Sequence, residues 1–241
     1  MASGRKTAEG YVGGEKAGGY MAGIFDIIGP VMIGPSSSHT AGAVRIGFVS
    51  RKLLGEKPIR VIFNLHGSFQ ATGEGHGTHQ ALLAGLLGMR PDDSRVPGSE
   101  EYAIKAGLQY EFRDTVIRDA HPNTALLNLY GEHGRNLEIQ ASSIGGGRIV
   151  VNKIDGIEVN VTGENNTLVV HNTDQPGQVS KVATMLAEQQ INIATLQLYR
   201  NSPGGKSVMV LELDQLLSKE ALQWLEQQDG ISKVTYLEAV Q

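Results

Sequence analysis

Gly163-Glu164-Asn165-Asn166 is where this chain divides. Four residues of turn chemistry, with no large apolar side chain among them, interrupt the alternation on either side, and the stretch beyond them has a complete plan of its own. Thr167 to His171 reads as a strand, Gly177 to Gln190 as a helix with Val179, Val182, Ala183 and Leu186 inward, and Ile191 to Tyr199 as a second strand. Ser207 to Leu213 is a third strand, Ser218 to Gln228 a helix turning Leu222 and Leu225 inward, and Ile231 to Leu237 a closing strand. The order is βαββαβ, for which an antiparallel sheet with both helices on one face, the ferredoxin-like arrangement, is the expected solution over 167–241.

Upstream of the break, residues 24–163 alternate helix and strand signals differently. Ala41, Val44, Phe48, Val49, Leu53 and Leu54 recur at near-helical spacing, which predicts a helix capped by Ser38 or a neighbour and ending at Gly55. Ile59 to Leu65 reads as a strand with Ile59, Val61, Phe63 and Leu65 on one face, and Ala81 to Leu87 as a buried helix. Ser99 to Leu108 looks helical with Ser99 as its cap, and Tyr110 to Ile117 extended. Ala125 to Tyr130 and Leu137 to Ser142 flank an expected hairpin turn, and Asp155-Gly156 signals another between Ile149 to Ile154 and Ile157 to Val161. The whole chain is therefore α+β, a mixed α/β domain followed by the ferredoxin-like one. Residues 1–23, rich in glycine and scattered charge, read as a flexible leader without the apolar core of a secretory signal.

Composition narrows the function. With 241 residues, 40% hydrophobic, 5% aromatic and a formal net charge of -4, the chain has the make-up of a mildly acidic globular protein, and the expected compartment is the cytoplasm. No basic run interleaved with aromatics offers a nucleic acid a footing, and no stretch is apolar enough to span a membrane. The count of cysteines is 0, so this chain by itself holds neither a disulfide nor a thiolate-bound metal.

The chemistry concentrates in a few polar loops. Gly34-Pro35-Ser36-Ser37-Ser38-His39-Thr40 places four hydroxyls and an imidazole at the start of a predicted helix, where unpaired N–H groups and the helix dipole favour an anion. Thr72-Gly73-Glu74-Gly75-His76-Gly77-Thr78 is a second loop in which glycine alternates with polar groups. Its glycine spacing is a weak match to a nucleotide fingerprint, with no strand directly before it and no acidic ribose partner. His39 and His76 are the candidate acid–base groups, since an imidazole titrates near neutral pH. Each motif also has a plain reading: the serines as cap and turn, His121-Pro122-Asn123 as a turn, Gly145-Gly146-Gly147 as a tight connection, His76 and His79 as metal ligands without the carboxylates that would complete a site.

Asp174-Gln175-Pro176-Gly177-Gln178-Val179, with Met185-Leu186-Ala187 and Ile191-Asn192-Ile193, resembles the opening of an ACT domain. Phe25 to Pro30, Gly34 to Gly42, Gly75-His76-Gly77-Thr78, His121-Pro122-Asn123-Thr124 and Ser143-Ile144-Gly145-Gly146-Gly147 resemble, in order, the β chain of iron-sulfur L-serine dehydratase. Glu74 stands where that family often has lysine, and His79 where it often has aspartate.

The resemblance implies deamination of L-serine to pyruvate and ammonia, with a [4Fe–4S] cluster held by a cysteine-bearing α subunit and an active site shared between the chains. It implies His76 and His39 as catalytic residues. It implies Ser36, Ser37, Ser38, Thr40, Gly77, Thr78, Asn123, Gly145, Gly146 and Gly147 as substrate-binding residues. Asp174, Gly177 and Asn192 lie where ACT domains often contact a ligand, although turn and cap geometry accounts for the same residues, and dimerisation through this domain is the stronger expectation. The first region also resembles the allosteric substrate-binding domain of some phosphoglycerate dehydrogenases, so the competing reading is a non-catalytic amino-acid or anion sensor.

Overall fold

A computed structural model of the chain describes residues 31–73 and 75–239. The expected leader, the segment Ile24 to Pro30 and Glu74 lie outside the described residues.

Ser36 caps a six-residue π-helical turn, Ser37–Gly42, that runs directly into helix α1 (Ala43–Leu54). Strand β1 (Pro58–Gly67) follows, then the short α2 (Ser68–Thr72), α3 (Thr78–Leu86) and α4 (Ser99–Lys105). Next come β2 (Gln109–Thr115), β3 (Asn123–Gly131), β4 (Asn136–Gly145), β5 (Arg148–Ile154) and β6 (Ile157–Val161). These strands form one sheet in the order β2-β1-β3-β4-β5-β6. Of its neighbouring pairs only β1 and β2 are parallel, because the chain between them crosses over through the helices instead of turning back in a hairpin.

The alternation in β1 sets the register. Val61, Phe63 and Leu65 pair with Leu129, Leu127 and Ala125, which in turn lie opposite Leu137, Ile139 and Ala141, so one face of three strands is apolar and buried beneath α1 and α3. Ile59, expected on that face, is 44% exposed, because the pairing shifts register between Pro58 and Arg60. Ser99 is not the predicted cap: it is fully buried and its hydroxyl donates to the Gln80 carbonyl at 2.7 Å.

Helices α1 and α3 touch backbone to backbone. A Cβ on Gly47 would lie 2.2 Å from the Leu82 carbonyl oxygen and one on Gly85 1.9 Å from that of Val44, so only glycine permits this approach. The contact fixes the serine loop, at the start of α1, beside the His76 loop, at the start of α3.

The second sheet comprises β7 (Asn166–Thr173), β8 (Ile193–Arg200), β9 (Lys206–Leu213) and β10 (Ile231–Leu237), in the order β10-β7-β9-β8 and antiparallel throughout. Helices α5 (Gln178–Glu188) and α6 (Lys219–Glu226) supply Val182, Met185, Leu186, Ala221 and Leu225 to a core with Leu168, Val170, Met209 and Leu211. Val179 does not point inward as expected but is 37% exposed: the buried stripe of α5 runs through Gln178, Val182, Met185 and Leu186, which turns Val179 outward.

The other face of this sheet is also buried. Val169, Val208, Val210 and Leu237 belong to the same apolar cluster as Val49, Leu53 and Ile139 of the first region. The Thr235 hydroxyl donates to the Leu53 carbonyl at 3.1 Å, satisfying an end of α1 that its own turns leave open.

Candidate functional site

The site is built where the serine loop, the end of β1 and the His76 loop converge. Ser36 Oγ accepts from the His39 backbone N–H at 3.1 Å, fixing the first turn. The His39 ring is then enclosed by hydroxyls: Nδ1 lies 3.2 Å from Ser38 Oγ and 3.4 Å from Ser36 Oγ, while Nε2 lies 3.0 Å from Ser68 Oγ and 3.2 Å from Thr72 Oγ1. Phe69 meets the ring edge-on at 5.4 Å between centroids.

His76 approaches the same ring, 5.2 Å between centroids and inclined by 61°. Burial holds the His39 imidazole below its ordinary pKa and the nearby His76 lowers it further, against a smaller opposing effect of the Ser68 backbone. Both effects disfavour the charged imidazolium at His39. His76 is exposed, and among the described residues its ring makes no hydrogen bond.

Beside the pair lies a concavity of 340 Å³ whose wall includes Pro35, Thr40, His76, Gly77 and Gln80. Thr40 Oγ1 and Gln80 Oε1 are buried there without a hydrogen-bond partner among the described residues, and so is the neighbouring Thr78 Oγ1. Buried polar oxygens left open are costly unless a ligand or water completes them, so Thr40 and Gln80 offer polar contacts in a wall otherwise built largely from Ile33, Pro35, Val96 and Pro97.

The remaining candidates fall in different places. Ser37 opens the π-helical turn, and Gly77 precedes α3 in a left-handed conformation. Asn123 is half-buried at the start of β3, opposite Gly67. Gly145, Gly146 and Gly147 form the β4–β5 hairpin tip, all at positive φ, and the Gly147 carbonyl accepts from Arg45 of α1 at 3.3 Å. The tip is thus both the tight connection and a neighbour of the serine loop.

In the second domain the three ligand candidates are not brought together within one chain. The Asp174 carboxylate accepts from Arg200 at 2.8 Å and from the Gly204 N–H at 3.0 Å, next to Gly177. Asn192 sits at the opposite end of β8, donating to Asp214 at 2.6 Å.

Sequence reasoning missed Ser68 and Thr72. Their one signal is a glycine closing a strand, Gly67, followed at once by a hydroxyl residue and a polar one four places on, the spacing that puts both on one side of a helical turn. Among the described residues no group of three or more His, Cys, Asp or Glu is gathered to hold a metal, which leaves His76 and His79 without a ligand set; the His79 ring stacks on Phe112 at 4.0 Å. The donor set here is hydroxyls and imidazoles, suited to holding a substrate.

Comparison with known proteins adds to this geometry. A family model described as "Serine dehydratase beta chain" matches residues 23–109, and one described as "ACT domain" matches residues 166–230. The chain is 41% identical over 212 residues to the "Probable L-serine dehydratase, beta chain" of Bacillus subtilis, covering 88% of this chain and 96% of that protein. It is 38% identical over 196 residues to the "L-serine dehydratase, beta chain" of Peptoniphilus asaccharolyticus, covering 81% and 88% respectively. Similarity to the D-3-phosphoglycerate dehydrogenase of Methanocaldococcus jannaschii is 33% over 88 residues, only 36% of this chain and 17% of that one.

Proposed function

The chain belongs to the serine dehydratase β-chain family, and from that membership we propose that it is the β subunit of an L-serine dehydratase, deaminating L-serine to pyruvate and ammonia in an active site completed by a cysteine-bearing α subunit. The observation that carries the reading is the His39–His76 pair with hydroxyls around His39, at the edge of a small concavity into which Thr40, His76 and Gln80 bring polar groups between apolar walls.

The α-hydrogen and β-hydroxyl of serine leave, giving aminoacrylate and water; its imine tautomer then takes up water and yields pyruvate and ammonia. With no cysteine in its sequence and no metal-ligand group among its described residues, this chain leaves a [4Fe–4S] cluster to the thiolates of the α subunit. When bound, that cluster supplies an open iron as Lewis acid for the departing hydroxyl. The β chain does the rest. An imidazole nitrogen of exposed His76 takes the α-proton, because both His39 nitrogens are already engaged by hydroxyls. Neutral His39 orients the hydroxyl shell, and Ser36, Ser38 and Thr40, at the positive end of α1, hold the substrate carboxylate.

The same reading includes a homodimer through the ACT domain. Strand β8 is a sheet edge with Leu196 and Leu198 38% and 42% exposed on the side of exposed Val179, and an apolar edge of this kind favours antiparallel pairing with a second copy about a two-fold axis.

The test is anaerobic L-serine turnover to pyruvate by this chain with and without an iron-loaded α subunit. Activity in the mixture alone supports the reading. A verified complex without activity overturns it in favour of a sensor, and activity of this chain alone contradicts the shared site.

A further inference from the structure

At the end of the large sheet away from His39, an open cleft of 530 Å³ lies between the two domains. Thr124, paired with His66 at the site end of β1, is six residues along β3 from Tyr130 at the cleft, about 20 Å at the rise of an extended strand. One wall carries Asn136, Glu138 and Asp155; the other carries His171 of β7, Lys206 at the start of β9 and Lys233 of β10.

The charges on these walls are unevenly matched. Asp155 Oδ1 accepts from the Glu138 N–H at 2.9 Å and its Oδ2 lies 3.8 Å from His171 Nδ1, while Glu138 Oε2 accepts from Asn128 at 2.9 Å. Each carboxylate thus has one oxygen bonded within the first domain, and the second Asp155 oxygen faces His171. Lys233, half-buried, reaches only the Asn136 carbonyl, at 3.4 Å, and neither it nor Lys206 forms an ion pair among the described residues. A partly buried ammonium without a direct ion pair is costly: burial lowers the Lys233 pKa, with Asp155 and Glu56 opposing from beyond ion-pair distance. Two lysines without a direct ion pair thus face Asp155 and Glu138 across a cavity of metabolite size, a lining of both signs suited to a small charged molecule.

We propose that this cleft binds a small carboxylate metabolite, its carboxylate held between the Lys206 and Lys233 ammonium groups. An α-keto acid would place only that anion there. An α-amino acid would add an ammonium within reach of Asp155 and Glu138, the two carboxylates of the facing wall. Lys233 is two residues from Thr235, which is bonded to the last turn of α1, so the bound anion sits against the far end of the helix that carries the serine loop.

The experiment is calorimetric titration of the full chain with sodium pyruvate and, separately, with L-alanine, which lacks the β-hydroxyl and cannot be turned over by elimination. Saturable binding of at least one probe is expected, retained in His76→Ala and weakened about tenfold or more in both Lys233→Met and Lys206→Gln. Methionine replaces a half-buried ammonium with an apolar chain of similar length, and Lys206 is exposed, so both variants keep the fold. Pyruvate binding alone identifies a keto-acid site, and tighter L-alanine binding an amino-acid site. In either case the bound anion raises the His171 pKa, read from its imidazole NMR signals. No saturation by either probe up to about 50 mM, binding unchanged in Lys233→Met, or binding lost in His76→Ala overturns the proposal.

Discussion

Ser68 Oγ lies 3.0 Å from His39 Nε2, joining residues 29 positions apart in the chain and making the end of β1 a support for the imidazole. Ser68→Ala leaves Thr72 as the only hydroxyl on that nitrogen among the described residues. The expected outcome in the assembled enzyme is a fall in kcat of about tenfold with KM little changed, since an orienting bond is lost and no binding group is removed. Steady-state kinetics beside a thermal-unfolding control would check it; a change confined to stability would assign Ser68 a purely structural role.

His76→Ala should lower turnover by roughly a hundredfold to ten-thousandfold if His76 takes the α-proton. The same substitution also removes a repulsion that lowers the His39 pKa, so His39 should titrate at higher pH in the variant than in the parent. NMR titration of the His39 ring reads this directly, and an unmoved or lowered value would contradict the pairing of the two imidazoles.

His171 makes stability fall in acid. Burial first, then Lys233, push its pKa to about 4 from an ordinary 6.5, so between those values the unfolded chain binds a proton that the folded chain refuses. Its contribution is fully present above pH 6.5 and is lost as pH falls toward 4. Between pH 7 and 5 the loss is on the order of 2 kcal/mol, and His171→Gln should remove it. Urea midpoints at the two pH values test the prediction; an equal drop in parent and variant would refute it.

Gly85→Ala would drive a methyl into the Val44 carbonyl and part α1 from α3. A cost of about 1–3 kcal/mol is expected, together with a loss of turnover that outlasts rescue by lower temperature, because the separation displaces the serine loop from His76. Leu87→Ala, on a partly buried side chain at the end of the same helix, is the control: it should lower stability without that disproportionate effect on kcat.

The proposed ACT-domain pairing predicts a dimer for the purified chain in light scattering and a monomer for Leu198→Lys, on the exposed edge strand, with its fold intact. A dimer that persists unchanged would place the contact elsewhere.

Most strands could be read from the sequence because one face of each is buried and the period of two survives, as in Val61, Phe63 and Leu65. The elements missed lie where tertiary contact outweighs local pattern. Ser99 looks like a cap until the Gln80 carbonyl claims its hydroxyl, and Val179 fits the helical stripe until the buried Gln178 shows which way α5 is turned. At the site, Ser36 to Thr40 and His76 stand out as residue types, but their meeting depends on Gly47 and Gly85, whose role is visible only when two helices are laid together. Ser68 is hidden for a related reason: nothing local to a strand end announces an imidazole arriving from another loop.

The apolar cluster that runs from Val49 and Ile139 through Val169, Val208 and Leu237 makes the boundary at Gly163 a feature of topology, not of energetics. Calorimetry should record one melting transition for the polypeptide, not two. A gene cut at that boundary would release halves that each display a raw greasy surface, so the ACT segment cannot be exchanged like a bead on a string without redesigning the neighbour it seals.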